Sequence, residues 1–171
     1  QLSPSFTATV TDMDGDGHED LFLSQNFFSY QIETSRSDAG RGLWLRGDGT
    51  GNLTPVPGHE SGVLVYGEQR GAAVADYDGD GRVDLIVTQN GADTKLYRNV
   101  TAKPGMTIKN SQGQFRVKYA NGSFGPIREI NTGSGYWSQN GNSIIGLKDG
   151  FISIENKTLD VDNKIKISKI K

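Results

Sequence analysis

Two stretches decide the reading of this chain: Asp12-Met13-Asp14-Gly15-Asp16-Gly17-His18-Glu19-Asp20 and Asp76-Tyr77-Asp78-Gly79-Asp80-Gly81-Arg82-Val83-Asp84. Each places carboxylates at loop positions 1, 3, 5 and 9, with a glycine at position 6 where the chain must turn sharply. Alternating oxygen donors around a glycine turn are what calcium requires, because this hard cation takes six to eight oxygens in flexible geometry. The expected ligands in the first loop are Asp12, Asp14, Asp16 and Asp20, with the backbone carbonyl of His18 at position 7. In the second they are Asp76, Asp78, Asp80 and Asp84, with the carbonyl of Arg82. The competing reading is a pair of plain Asp/Gly turns. Four carboxylates within nine residues repel one another unless a cation neutralises them, and the pattern occurs twice.

The residues that follow exclude a helix–loop–helix hand. That motif needs a bidentate Glu at position 12, where this chain has Leu23 and Val87. Leu21-Phe22-Leu23-Ser24 and Leu85-Ile86-Val87-Thr88 are apolar and favour strands. The loops are therefore expected to turn one strand into the next.

Working outward, the two units are offset by 64 residues. The first reads as strands over 6–10, 21–25, 42–46 and 53–56, with residues 27–40 inserted between the second and third. The second repeats this over 71–75, 85–89 and 94–98. The chain has 171 residues, 23 of them glycine, with 34% hydrophobic residues and a net charge of -2. Many glycine turns between short apolar runs, with no long stretch of helical periodicity, indicate an all-β protein. No basic stripe interleaved with aromatics points to nucleic acid, and no apolar run is long enough to span a membrane. Without cysteine, neither disulfides nor thiolate metal sites are available. Calcium cross-linking of loops in place of disulfides suits an extracellular, secreted or cell-surface setting, with the periplasm as a variant. The chain starts at Gln1, which reads as a mature piece or a fragment of a longer product.

The motif Asp-x-Asp-Gly-Asp-Gly-x-x-Asp-Leu, followed by Leu43-Trp44-Leu45-Arg46 or Lys95-Leu96-Tyr97-Arg98, resembles the FG-GAP/VCBS repeat. The resemblance covers residues 1–100 and implies blades of an integrin-α-like β-propeller with calcium in the hairpin loops. Residues 101–171 resemble the ASPIC/UnbV domain of cartilage-acidic-protein-like proteins. That resemblance is carried by Arg116-Val117-Lys118-Tyr119-Ala120-Asn121-Gly122 and by Arg128 to Gln139. It implies a small C-terminal β domain. Two repeats do not close a propeller, so further blades of a longer chain or self-association are expected. Residues 164–171, with alternating Ile and Lys, read as a protected edge strand, with an anionic-polymer site as the sharper alternative.

Other constellations carry less. Arg46-Gly47-Asp48 spells an integrin-recognition tripeptide but falls in a hairpin turn. Phe27, Phe28 and Tyr30 read equally as a sugar-stacking surface or a plug folded back between blades. Tyr136-Trp137 reads as a core pair in preference to a ligand platform. Asn52, Asn99, Asn121 and Asn156 match the glycosylation pattern, which in so Asn/Gly/Ser-rich a chain arises by chance. With two histidines, His18 and His59, no nucleophile–base set or paired acid forms; Glu60 and Glu68 read as solvated surface. The expectation is a non-catalytic calcium-binding module for adhesion or ligand binding, with an unidentified protein or glycan partner. A lectin-like or lyase-associated domain and a self-assembling structural repeat are the alternatives.

Overall fold

The computed structural model describes residues 3–108, 113–130, 136–141, 143–146 and 151–156. The proposed edge strand at 164–171 lies outside them. The first unit is an antiparallel meander of four strands in sequence order: β1 (Ser5–Thr11), β2 (Asp20–Gln25), β3 (Leu43–Gly47) and β4 (Leu53–Val56). After one helical turn, α1 (Gly58–Ser61), the second unit forms a three-stranded meander: β5 (Glu68–Ala75), β6 (Asp84–Asn90) and β7 (Lys95–Tyr97). The turn α1 was not foreseen from sequence. It is short, buries none of its residues, and ends on Gly62 at φ 72°.

The two meanders are built alike down to their irregularities. β1 pairs with β2 through Val10↔Leu21 and β5 with β6 through Val74↔Leu85. Each pairing shifts register at the same repeat position, between Ser5 and Ala8 and between Gln69 and Ala72. Such a bulge sharpens the right-handed twist. Period-two alternation then decides which face is buried. In β2, Phe22 and Ser24 are buried while Leu21 and Leu23 are half-buried.

One core joins both units. Met13 and Phe22 from the first pack with Val63, Val65, Ala72, Val74, Val83, Leu85 and Val87, and Trp44 and Tyr97 close its sides. Phe22 is fully buried, a contribution of about 2–3 kcal/mol from removing its ring from water. The hydroxyls of the first unit are buried with it and find partners on β5. Thr7 Oγ1 and Ser24 Oγ donate to the Arg70 carbonyl at 2.8 and 3.0 Å, and Thr9 Oγ1 donates to the Ala72 carbonyl at 3.1 Å. Threonine and serine on an inward face thus dock one sheet on the next without stranding a polar group.

The inserted residues 27–40 are anchored by Asn26, a buried residue at φ 81°. Its amide donates to the carbonyls of Gly40 and Gly67, and its oxygen accepts from the Gly40 N–H and the Ser3 hydroxyl. Glu68 departs from the sequence expectation of a solvated surface: it is 3% exposed. Its carboxylate accepts from the Phe28 N–H and the Asn90 amide and pairs with Arg70. Burial pushes its pKa up, but the Asn90 amide, the Phe28 N–H and Arg70 outweigh that and leave it low.

The remaining strands form a separate set. β8 (Met106–Ile108) pairs with β11 (Ser143–Ile145), and β9 (Gly113–Tyr119) lies between β10 (Arg128–Ile130) and β12 (Phe151–Asn156). Ile108, Phe115, Val117 and Ile154 make their own small core.

Candidate metal centre

Both Asp/Gly loops lie at the same end of their sheets, between the first and second strand of each meander. The structure brings together carboxylate oxygens of Asp12, Asp14 and Asp20, and of Asp76, Asp78 and Asp84, each trio within 4.8 Å. Position 9 is structural as well as acidic. Asp20 Oδ2 accepts from the Met13 N–H at 3.0 Å and Oδ1 from the Gly47 N–H at 2.8 Å. Asp84 does the same with the Tyr77 N–H at 3.1 Å and the Asn99 N–H at 2.8 Å. Each therefore ties the loop to the end of the third strand.

Position 1 organises the turn. Asp12 Oδ1 accepts from the N–H groups of Gly15 and Asp16, and Oδ2 from that of Gly17. Asp76 accepts from Asp80 and Gly81. These bonds need the chain to coil back on itself, and Gly15, Gly17, Gly79 and Gly81 all stand at positive φ. The carboxylates at position 5 make bonds of their own: Asp16 Oδ1 accepts from the His18 N–H, and Asp80 accepts from the Arg82 N–H and guanidinium and from Arg98. Asp16 and Asp80 are thus outside the two trios. The side chains assembled in each trio are carboxylates, and ligation through the carbonyls of His18 and Arg82 is not shown.

One feature escaped the sequence reading. Arg46, at the end of β3, places Nε 2.8 Å from Asp14 Oδ2, and Arg98, after β7, pairs with Asp78. The two arginines hold equivalent repeat positions, one after Leu45 and one after Tyr97, so the signal lay in the repeat itself. Both hook the position-3 carboxylate. The Arg46-Gly47-Asp48 tripeptide is used up in this framework. Gly47 donates to Asp20, and Asp48 accepts from Thr50 and Asn52, which hold its carboxylate well below the ordinary range.

The first loop is also roofed by residues far away in sequence. Gly146 donates its N–H to Asp12 Oδ2 at 2.8 Å. A Cβ at Gly146 would collide with that oxygen and with the Gly15 backbone. Lys103 N–H donates to the Asp14 carbonyl, and Arg128 donates to the Gly17 carbonyl and pairs with Glu19. Burial dominates the electrostatics here. It pushes the Asp12 carboxyl up, and pushes Asp20 up to about 6 despite the opposing Gly47 and Met13 N–H bonds.

Three converging carboxylates, preset by N–H bonds, form a donor set that fits a hard divalent cation, and in the first loop burial penalises the charged forms of Asp12 and Asp20. Asp12, Asp14 and Asp20 would hold it in the first loop, and Asp76, Asp78 and Asp84 in the second. When bound, such an ion would add positive charge to that of Arg46 and Arg98 and neutralise the remaining carboxylates.

Residues 12–87 match the family model described as an FG-GAP-like repeat. The matched span runs from the first ligand of the first loop into β6, and such a repeat implies propeller blades, consistent with the two antiparallel meanders. It ends before residues 101–171, and the ASPIC/UnbV resemblance has no counterpart among the family matches. No curated protein matches the chain.

Proposed function

We propose that this chain is a calcium-binding repeat module that presents a rigid binding surface at the exterior of the cell and carries out no catalysis. The observation that carries this reading is the repetition of one carboxylate trio, with the same N–H bonding of position 9, in two successive FG-GAP-like units. Calcium neutralises each trio and fixes the turn between two strands, so that adjacent loops keep one conformation. Extracellular calcium is abundant enough to saturate such sites, which supports a secreted or cell-surface location. FG-GAP-like repeats are in general non-catalytic, which supports that part of the reading.

The test is a thermal melt in millimolar calcium and in excess EGTA, with Asp14→Ala and Asp78→Ala beside the parent chain. Calcium raises Tm in the parent, less in either single variant, and not in the double variant. An equal Tm with and without calcium in the parent chain refutes the reading. Light scattering on the same samples separates a soluble binding module from a repeat that polymerises with calcium.

A further inference from the structure

The contact between the two meanders has two halves, and the chain carries each half twice. Strand residues alternate between faces. In the first meander the row Thr9↔Phe22↔Trp44 faces the second, which answers with the row Val74↔Leu85↔Tyr97 and with Ala72 and Val87. By repeat position, Thr9, Phe22 and Trp44 correspond to Ala73, Ile86 and Leu96, which pair in one row of the second meander. Val74, Leu85 and Tyr97 correspond to Val10, Leu21 and Leu45 on the far face of the first. These copied rows are left open. Ile86 is 39% exposed, Leu96 54% and Val10 58%, whereas Val74, at the repeat position of Val10, is 6% exposed. Leu21, Leu23, Leu43 and Leu45 lie half-buried on the same face as Val10. None of the residues on either open face is charged.

The polar contacts repeat as well. In the first meander the Thr7 N–H donates to Ser24 Oγ at 2.9 Å, and Ser24 Oγ donates across to the Arg70 carbonyl. In the second the Gly71 N–H donates to Thr88 Oγ1 at 2.9 Å, and Thr88 Oγ1 turns back to the Gly71 carbonyl at 3.2 Å. The Thr88 hydroxyl thus holds the position from which Ser24 reaches a neighbouring sheet. Trp137, read from the sequence as half of a core pair, is 84% exposed beside this face. A Cβ on Gly71 would stand 3.1 Å from its carbonyl oxygen. Residues 136–141 are fastened to β1 and β5: Thr7 Oγ1 reaches the Tyr136 carbonyl at 3.4 Å, Asn140 Oδ1 accepts from the Val74 N–H at 3.0 Å, and Gly141 N–H donates to the Val74 carbonyl at 2.8 Å. That segment leaves Ile86 and Leu96 uncovered.

We propose that the open face of the second meander docks on the open face of the first meander of a second copy of this chain. Ile86 and Leu96 then pack on Val10, Leu21, Leu23 and Leu45 of that copy, as Phe22 and Trp44 pack on Val74, Leu85, Val87 and Tyr97 within the chain. The Thr88 hydroxyl turns to the Phe6 carbonyl of that copy, the counterpart of Arg70. A second copy is the occupant because the contact already formed inside the chain shows which surface covers each face, and one molecule carries both open halves. Exposed apolar faces of this kind mark association surfaces. The contact is heterologous, head to tail, and closes into a ring where the rotation per copy allows. With two meanders per copy, the four to eight blades of closed propellers correspond to roughly two to four copies.

The test is sedimentation velocity of the full chain from low to high micromolar concentration, beside Val10→Lys and Leu96→Lys. Both positions are more than half exposed, so each variant is expected to keep the Tm that the parent shows when dilute. The parent forms oligomers of defined size as concentration rises. Each variant alone has one spoiled face and stays monomeric, its association weakened about a hundred-fold or more by an unpaired ammonium in an apolar contact. Mixed in equal amounts, the two variants form a one-to-one dimer through their intact faces. A chain carrying both substitutions dimerises with neither. A parent that stays monomeric overturns the proposal and leaves the two faces to other partners. Parent-like oligomers in either variant alone, or a mixture that does not dimerise, overturn it too, because the contact would then not join these two faces.

Discussion

Lowering the pH from about 7 to about 5 is expected to weaken calcium binding in the first loop about ten-fold. The magnitude comes from Asp20. Asp20 as a residue is 1% exposed, and its pKa is pushed up to about 6 by burial. Calcium binds the ionised form, so apparent affinity follows the ionised fraction. With a pKa of about 6 that fraction falls from about nine-tenths to about one-tenth over this interval. Asp12 is shifted in the same direction by burial. The sign for the metal-free chain is opposite. A carboxyl whose folded pKa lies above its unfolded value of 3.8 stabilises the fold fully below that value, and the contribution is lost as pH rises through about 6. For Asp20 this amounts to roughly 3 kcal/mol. The chain in EGTA is therefore expected to lose stability between about pH 4 and about pH 6, where calcium begins to restore it. The assay is calorimetric titration of the Asp78→Ala variant, in which the second loop is disabled, in two buffers of different ionisation enthalpy at each pH. Binding near pH 5 should release protons as well as be weaker. Equal affinities across the range with no proton release would mean that Asp20 is already ionised in the folded chain, and the burial argument would fail.

Three further perturbations test the framework around the loops. Gly146→Ala pushes a methyl group into Asp12 and Gly15 and is expected to cost about 1–3 kcal/mol, with protease cleavage after residue 100 accelerated and the second loop's calcium affinity unchanged. Asn99→Ala removes amide bonds to the Met13 carbonyl at 2.7 Å and the Val83 carbonyl at 3.0 Å; a loss of about 1–3 kcal/mol in urea denaturation is expected. Glu68→Ala leaves Arg70 without its buried partner and frees the Phe28 N–H. A loss of about 3–5 kcal/mol is expected, together with faster amide exchange confined to residues 27–40.

What could be read from sequence was what is local. The nine-residue loops announce themselves because their ligands and their turn glycines lie within a few bonds of one another, and the strands follow because each loop must be flanked by two of them. The six trio carboxylates were among the residues expected. Asn26 and Glu68 were missed because their partners come from elsewhere. Asn26 is defined by Gly40 and Gly67, and Glu68 by Phe28 and Asn90. A buried polar residue has no sequence signature until its partners are known. Gly146 is a stronger case, since it acts on a carboxylate 134 residues earlier. Trp137 inverted the ordinary expectation for a large aromatic beside glycines, because its exposure depends on how the main chain of 136–141 is fastened to β1 and β5.

The two loops share a local design but not their surroundings, and the segment leading out of the blades explains the difference. Asn99 bonds Met13 beside the first loop and Val83 beside the second. Ala102 then accepts from Arg82 Nε in the second loop, Lys103 donates to Asp14 in the first, and Gly105 donates to Gly81 in the second. The chain therefore crosses back and forth over both acidic loops before β8 begins. Gly15 is part of this crossing, because a Cβ there would strike the Lys103 carbonyl. Only after that do Arg128 and Gly146 return to the first loop alone. Each crossing bond ends on loop backbone or on the side chain of Arg82, and loop backbone is held by the position-1 and position-9 carboxylates that would face the ion. A charge change at those carboxylates thus reaches the outgoing segment through the loop backbone itself. The segment that leads to β8 is thus joined to the blades through the backbone of both acidic loops.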